Sequence, residues 1–183
     1  MTIKYQKGSI HNTVRGEIEI LEYIPGKRIN GKKIHPRVII KFLKTGTVSN
    51  IMTTAIATGH FSDNREPTVY GVGYLGSDII IPKRGEYIRR VYDLWANMLR
   101  RAYKEYKDCS VDKRWHNFTN FLNTIVDVEG YELWENKENV HLDKDNFGKR
   151  IYSLETCKFI PASENIRKGL SSRWSKANDL TLR

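Results

Sequence analysis

The stretch VHLDKDN at residues 140–146 decides the fold that we expect for the last third of the chain. Apolar and polar residues alternate along it, as they do in a half-buried strand. Alternation places His141, Asp143 and Asp145 on one face, because successive strand side chains point to opposite sides. Three side chains that can carry protons or bind a metal are therefore expected to converge.

Residues on either side of this stretch extend the pattern. Residues 146–149 (NFGK) predict a turn, residues 155–160 a second strand, and residues 161–165 (PASEN) the start of a helix with Ser163 as its N-cap. Upstream, apolar spacing predicts a long amphipathic helix over 87–103, and a shorter one over 115–125 capped by Asp112.

The N-terminal part of the chain has the alternation of strands instead. Residues 15–23, 36–42 and 49–56 predict a small three-stranded antiparallel sheet. We therefore expect an α+β fold in three parts: a basic β module over 1–75, a linker over 76–86, and a helical plus ββα domain over 87–183.

Charge is the first observation that bears on function. The 31 Lys and Arg against 21 Asp and Glu give a net charge of +10, which favours a polyanionic partner such as duplex DNA, since bound cations release condensed counterions. RNA and anionic membranes stay open from charge alone, and so does simple solubility.

Several classes of protein are not expected. The longest apolar runs are strand-sized, far below the roughly 20 residues of a membrane-spanning helix, and no secretory signal is recognised at the N-terminus. Cys109 and Cys157 lack metal-binding spacing and are expected to be reduced core residues. The sequence thus predicts a cytoplasmic protein without a membrane anchor.

The stretch around His141 offers the groups that phosphodiester hydrolysis requires. A neutral histidine can activate water, and Asp and Asn oxygens are hard donors that suit one Mg²⁺ or Mn²⁺ ion. The alternative interpretation is a solvated acidic turn with a structural histidine.

The chain from about Tyr92 to Gly169 resembles the HNH-like proteins of bacteriophages, many of which are homing endonucleases. The resemblance rests on two stretches: WxxMxxRxY at 95–103 with CxV at 109–111 and WxxF at 115–118, then LDKD at 142–145 with YSLETCKFIP at 152–161 and Asn165. It implies a ββα-metal fold and a metal-dependent DNA endonuclease, in which an Asp and an Asn hold the metal while a His activates water.

This sequence departs from the family pattern in two ways. If His141 takes the place of the family's histidine, Asp143 must replace the preceding ligand; if Asp143 takes the ligand position, Lys144 occupies the position of the base. Asp143 and Asn165 hold the metal in either register, with Asp145 in reserve. We prefer His141 as the base because flanking acids keep Lys144 charged, which leaves Lys144 to contact a phosphate. The family's middle Asn is replaced by Glu155 or Thr156.

DNA contacts are expected mainly at phosphates, with sequence readout by a strand pair in the major groove. The basic residues that we expect to contact DNA are Lys27, Arg28, Lys32, Lys33, Arg100, Arg101, Arg167, Lys168, Arg173 and Lys176. Two other functions stay open: a non-catalytic DNA-binding protein on a degenerate HNH scaffold, and an RNA-binding accessory factor.

Overall fold

A computed structural model describes residues 5–106, 108–144 and 150–167. It confirms a mixed α+β fold and divides the chain into two compact units after Glu66. The first unit is a sheet with one short helix. The second is helical, with two short strand pairings in the described residues, and it contains the residues from which we expect chemistry.

The first unit is built on a four-stranded antiparallel sheet in the order β1-β2-β5-β6. Its strands are β1 (Ile10–Thr13), β2 (Gly16–Ile24), β5 (Arg37–Phe42) and β6 (Val48–Met52). Every second residue of β2 and β5 points into the core, so that Ile18, Ile20, Val38, Ile40 and Phe42 are buried.

Two details of the predicted sheet are wrong. The strand β1 is additional, because four residues of mixed polarity give little pattern from which to predict it. The predicted strand over 49–56 ends at Met52, and residues Thr53–Thr58 form helix α1. Gly59 ends this helix with a left-handed φ of 70°, a conformation that glycine adopts without steric cost.

Residues between β2 and β5 form a separate two-stranded ribbon. Strand β3 (Lys27–Ile29) pairs with β4 (Lys32–Ile34) in antiparallel register. The connection is Asn30-Gly31, and both residues have positive φ, 51° and 76°. This is the backbone of a two-residue hairpin whose twist matches that of its strands. The segment that contains Lys27, Arg28, Lys32 and Lys33 is thus a hairpin.

The second unit is organised around helix α2 (Tyr87–Arg100), which is prolonged by a wider π-helical turn at Arg101–Glu105. The predicted helix is therefore confirmed, with an altered last turn. The predicted helix over 115–125 is divided: Asp112 caps a 3₁₀ turn at Lys113–His116, and Asn117 caps helix α3 (Phe118–Thr124) by accepting from Thr119 N at 2.9 Å.

The remaining elements of this unit complete its core. Strand β7 (Ser110–Val111) pairs in parallel with β9 (Ile151–Tyr152), and strand β8 (Val140–Asp143) pairs antiparallel with β10 (Lys158–Pro161). A 3₁₀ turn at Ile125–Asp127 precedes helix α4 (Tyr131–Glu135), and residues 162–167 are helical (α5).

The predicted division at residues 75 and 76–86 is wrong, because this segment belongs to the second unit. Ile79 and Ile81 pack against the core that contains α2. A Cβ on Gly73 would lie 2.5 Å from Leu99 Cδ1 and 2.9 Å from the Trp95 ring. The absence of a side chain at Gly73 lets the backbone approach the helix closely, which a glycine-rich sequence alone does not distinguish from a linker.

Trp95 should be the most sensitive position of this core. Its fully buried indole donates from Nε1 to the carbonyl of Trp115 at 2.6 Å. Trp95→Phe removes volume and leaves that carbonyl without its donor, so we expect the free energy of unfolding to fall by about 3 kcal/mol. Denaturant unfolding measures this. The control is Trp134→Phe, at a half-buried site, which should cost less than about 1 kcal/mol; equal losses would contradict the assignment.

Candidate active site around His141 and Asn165

Strands β8 and β10 pair with each other, and β10 leads into helix α5; strand β9, which pairs with β7, lies between β8 and β10 in the chain and was not predicted. The register sets Ile160 opposite His141 and Lys158 opposite Asp143. The second strand begins at Lys158 and not at residue 155, because Thr156 is buried in a turn where its hydroxyl donates to Ile151 O at 2.6 Å. Ser163 lies inside the helix and is not its N-cap.

The central contact of the site joins His141 on β8 to Asn165 on α5. Asn165 Nδ2 lies 3.1 Å from His141 Nδ1, and both side chains are half-buried. In this orientation the amide donates to Nδ1. Rotation of the amide by 180° brings Oδ1 to the same place, where it accepts a hydrogen bond from the Nδ1 proton and leaves Nε2 unprotonated. Asn165 therefore fixes the orientation of the ring, and the tautomer depends on which amide atom faces Nδ1.

Asp143 lies two residues further along β8 and so points to the same side of the strand as His141. It is one of the few buried charged residues, with 5% of its surface exposed. Its charge also affects Cys157: burial, with a smaller contribution from Asp143, raises the pKa of this thiol to about 12. A carboxylate beside His141 is thus present, in surroundings with little water.

Lys144 follows Asp143 and lies against aromatic rings. Its Nζ is 5.4 Å from the centre of the Tyr106 ring and 5.5 Å from that of Tyr152. Such contacts stabilise an ammonium and not a neutral amine. Lys144 is therefore poorly suited to be a general base.

A pocket of about 110 Å³ opens beside His141, between β8 and helix α2. It is lined by Leu94, Asn97, Met98 and Arg101 from the helical side and by Val140, His141, Leu142 and Tyr152 from the strands. Burial raises the pKa of the Tyr152 phenol, and the charge and hydrogen bond of Arg101 lower it in part. Arg101 and His141 therefore share one pocket.

Arg101 in this position was expected only as a DNA contact, and Asn97 and Tyr152 were missed. A signal for them exists in the sequence. Leu94, Asn97 and Arg101 are spaced by three and four residues, so they lie along one stripe of the helix. Which element this stripe faces depends on how the helix packs, and the sequence does not give that.

The other predicted DNA contacts have varied surroundings. The four basic residues of the β3–β4 ribbon are exposed, as is Arg167 on α5. Arg100 forms an ion pair with Glu105 at 2.5 Å, so its charge is partly neutralised. Four residues named from the sequence lie outside the described part of the chain: Asp145, Lys168, Arg173 and Lys176.

The chemistry of Asp143 and Asn165 is compatible with a divalent metal. Both provide oxygen donors, and Mg²⁺ commonly takes one or two carboxylates or carbonyls while keeping several waters. Within residues 5–106, 108–144 and 150–167, no three His, Cys, Asp or Glu side chains cluster in a way that holds a metal. A bound ion would therefore depend on these two side chains together with water and phosphate oxygens.

Comparison with protein-family models, with curated proteins and with solved structures finds no match to this chain. The resemblance to HNH-like proteins thus rests on the residues quoted above. In the part of the chain that the structure describes, every helix is too short or too polar to traverse a bilayer.

The two cysteines should differ strongly in reactivity. Both are present as thiols and not as a disulfide; Cys109 is half-buried, and Cys157 is buried. A pKa raised from 9.0 to about 12 lowers the thiolate fraction of Cys157 at pH 8 by about a thousandfold, and only the thiolate attacks alkylating reagents. We expect iodoacetamide to modify Cys109 in the folded protein and Cys157 only in denaturant.

Mass spectrometry of modified peptides measures this difference. Cys109→Ser should abolish the modification of the folded chain. Rapid labelling of Cys157 in the native protein would show that the surroundings of this thiol are open to water.

Proposed function

We propose that this protein is a metal-dependent DNA endonuclease that hydrolyses phosphodiester bonds, with His141 as the general base. The observation that carries the proposal is the contact between His141 on strand β8 and Asn165 on helix α5, beside a pocket that also contains Arg101. The net charge of +10 supports a polyanionic substrate.

His141 performs the proton transfer. With the Asn165 amide rotated so that its Oδ1 accepts a hydrogen bond from Nδ1, the lone pair of Nε2 accepts a proton from water as the water oxygen bonds to phosphorus. The bond from phosphorus to the leaving sugar oxygen breaks, and that oxygen takes a proton from solvent. Asn165 thus acts by holding the ring in the reactive tautomer, in addition to any role as a ligand.

Arg101 supplies positive charge to the same pocket. A guanidinium forms two parallel hydrogen bonds to phosphate oxygens and stabilises the charge that develops on them. Its hydrogen bond to Tyr152 holds the side chain in place before substrate binds. The role of Arg101 is therefore to bind and polarise the phosphate that His141 attacks through water.

Mg²⁺ or Mn²⁺ would be held by the carboxylate of Asp143 and the amide oxygen of Asn165. When bound there, the metal supplies further positive charge for the phosphate and the leaving oxygen. Lys144, which is kept as a cation by two aromatic rings, contacts a phosphate and does not remove a proton.

A non-catalytic DNA-binding protein on the same scaffold is the second candidate. Its support is the burial of Asp143, which is 5% exposed and so has little access for an ion. In that case His141 and Asn165 serve only to join β8 to α5. Binding of DNA would then persist without any metal-dependent strand break.

Plasmid cleavage separates these two functions. With supercoiled plasmid and Mg²⁺ or Mn²⁺, we expect nicked or linear product from the wild type. His141→Ala should reduce the rate by about 10²–10⁴, the typical contribution of a general base, and Asp143→Asn should raise the metal concentration that cleavage requires, because an anionic ligand is lost. His35→Ala, an exposed histidine of the first unit, is the control and should leave the rate unchanged.

The outcomes discriminate clearly. Binding without cleavage at any metal concentration would leave only the second candidate. Loss of cleavage in Lys144→Ala but not in His141→Ala would make Lys144 the base.

Arg101 can be tested against another arginine of the same helical segment. Arg101→Ala should lower the cleavage rate by about 10²–10³, as removal of a donor to a developing anion does. Arg89→Ala removes the same charge from an ion pair with Asp93 outside the pocket and should change the rate by less than about threefold, since exposed ion pairs contribute little. Circular dichroism confirms that both variants fold. Equal effects of the two substitutions would show that only net charge matters.

A further inference from the structure

The β3–β4 ribbon of the first unit is an exposed cationic hairpin. All six residues of its strands are exposed, and four of them are basic: Lys27, Arg28, Lys32 and Lys33. None of the four forms an ion pair within the described residues. The positive charge of the ribbon is therefore available to an external partner.

The cross-strand register assigns these residues to two different faces. Arg28 lies directly opposite Lys33 and shares its face. The other face contains the pairs Lys27 with Ile34 and Ile29 with Lys32. Like charges directly opposite each other are unfavourable in an isolated ribbon. The Arg28–Lys33 pair thus gains stability when acceptors come to lie against it.

The shape and composition of the ribbon favour double-stranded DNA among polyanions. A two-stranded ribbon fits the major groove of B-DNA, about 12 Å wide, but not the deep, narrow major groove of duplex RNA. The ribbon has no aromatic side chain on which single-stranded bases would stack. On the mixed face each lysine lies directly opposite an isoleucine, so neither face is apolar enough to enter a lipid surface.

We propose that the β3–β4 ribbon enters the major groove and reads base pairs with Arg28 and Lys33. Both side chains donate to O6 and N7 of guanine, and arginine does so through two hydrogen bonds. Lys27 and Lys32 on the opposite face contact phosphates and set affinity without regard to sequence. The Asn30-Gly31 turn, with both residues left-handed, fixes the tip of the ribbon before binding. This inference rests on the proposed DNA substrate but not on cleavage.

Selection from a pool of duplexes randomised at the centre tests the inference with full-length protein. The wild type should enrich a guanine-containing motif. Arg28→Gln with Lys33→Gln should lose the enrichment, whereas Lys27→Gln with Lys32→Gln, which removes the same charge from the other face, should keep it. In the Lys27 and Lys32 double variant, which loses two phosphate contacts, the slope of log affinity against log salt should fall by about 2.

Arg28→Lys tests readout at constant charge. It should leave the salt slope unchanged and reduce the preference for the selected motif over a scrambled duplex by roughly tenfold, because the bidentate contact is lost. Since the substituted side chains are exposed, the variants should fold, and circular dichroism checks this.

Several outcomes would overturn the inference. They are the absence of a motif in the wild type, loss of the motif in the Lys27 and Lys32 variant, and equal affinity for duplex RNA or single-stranded DNA. Plasmid cleavage is measured separately. If the protein enriches a motif but never cuts, the role of the ribbon is supported and the proposed nuclease activity is contradicted. If it cuts without enrichment, the nuclease activity is supported and the role of the ribbon is contradicted.

Discussion

The buried indole of Trp95 is the interaction on which the second unit depends. It packs against Phe118 and Tyr92 with ring centres 5.3 and 5.5 Å away, and its Nε1 hydrogen is satisfied by the carbonyl of Trp115. These contacts fix helix α2 in rotation as well as in position, since a single hydrogen bond direction goes with a single ring orientation. Arg101 stands six residues later on the same helical rod, so its approach to His141 follows from the same packing. Gly73 leaves room for the Trp95 ring, because a Cβ at this position would lie 2.9 Å from the ring.

The sequence predicts those parts of the candidate site whose geometry depends on local patterns, and it does not predict the pocket. Period-two alternation places His141 and Asp143 on one side of strand β8. Strand β10, which pairs with β8 and leads into helix α5, brings Asn165 close to His141. The position of Arg101 in the pocket was not predicted, because it depends on how the helical segment packs against strand β8, and these segments are far apart in the chain. The same applies to residues 76–86, where a glycine in close contact and a glycine in a linker look alike. The sequence showed the basic residues of the β3–β4 ribbon but did not predict its strands, since strands of three residues are too short to show periodicity.

If the two proposed sites both bind nucleic acid, they act together because they lie on one chain. Once one contact is made, the second becomes intramolecular, and its effective concentration depends on the covalent connection and not on the protein concentration. The pocket around Arg101 need not bind a phosphate tightly, and the ribbon need not bind long, for the whole chain to remain on its substrate. Weak binding at the reacting phosphate also favours catalysis, since interactions made equally in the ground state and the transition state do not lower the barrier.

The exposed ribbon has a consequence for self-association. Within the described part of the chain β3 pairs only with β4, so each strand has an outer edge with backbone groups that another chain can pair with. Such edges are sites of aggregation unless charge or shape blocks them. Lys27, Arg28, Lys32 and Lys33 repel the same hairpin of a second molecule, which keeps the edges unpaired in free protein. Neutralising these residues to study recognition therefore also removes a barrier to edge-to-edge assembly.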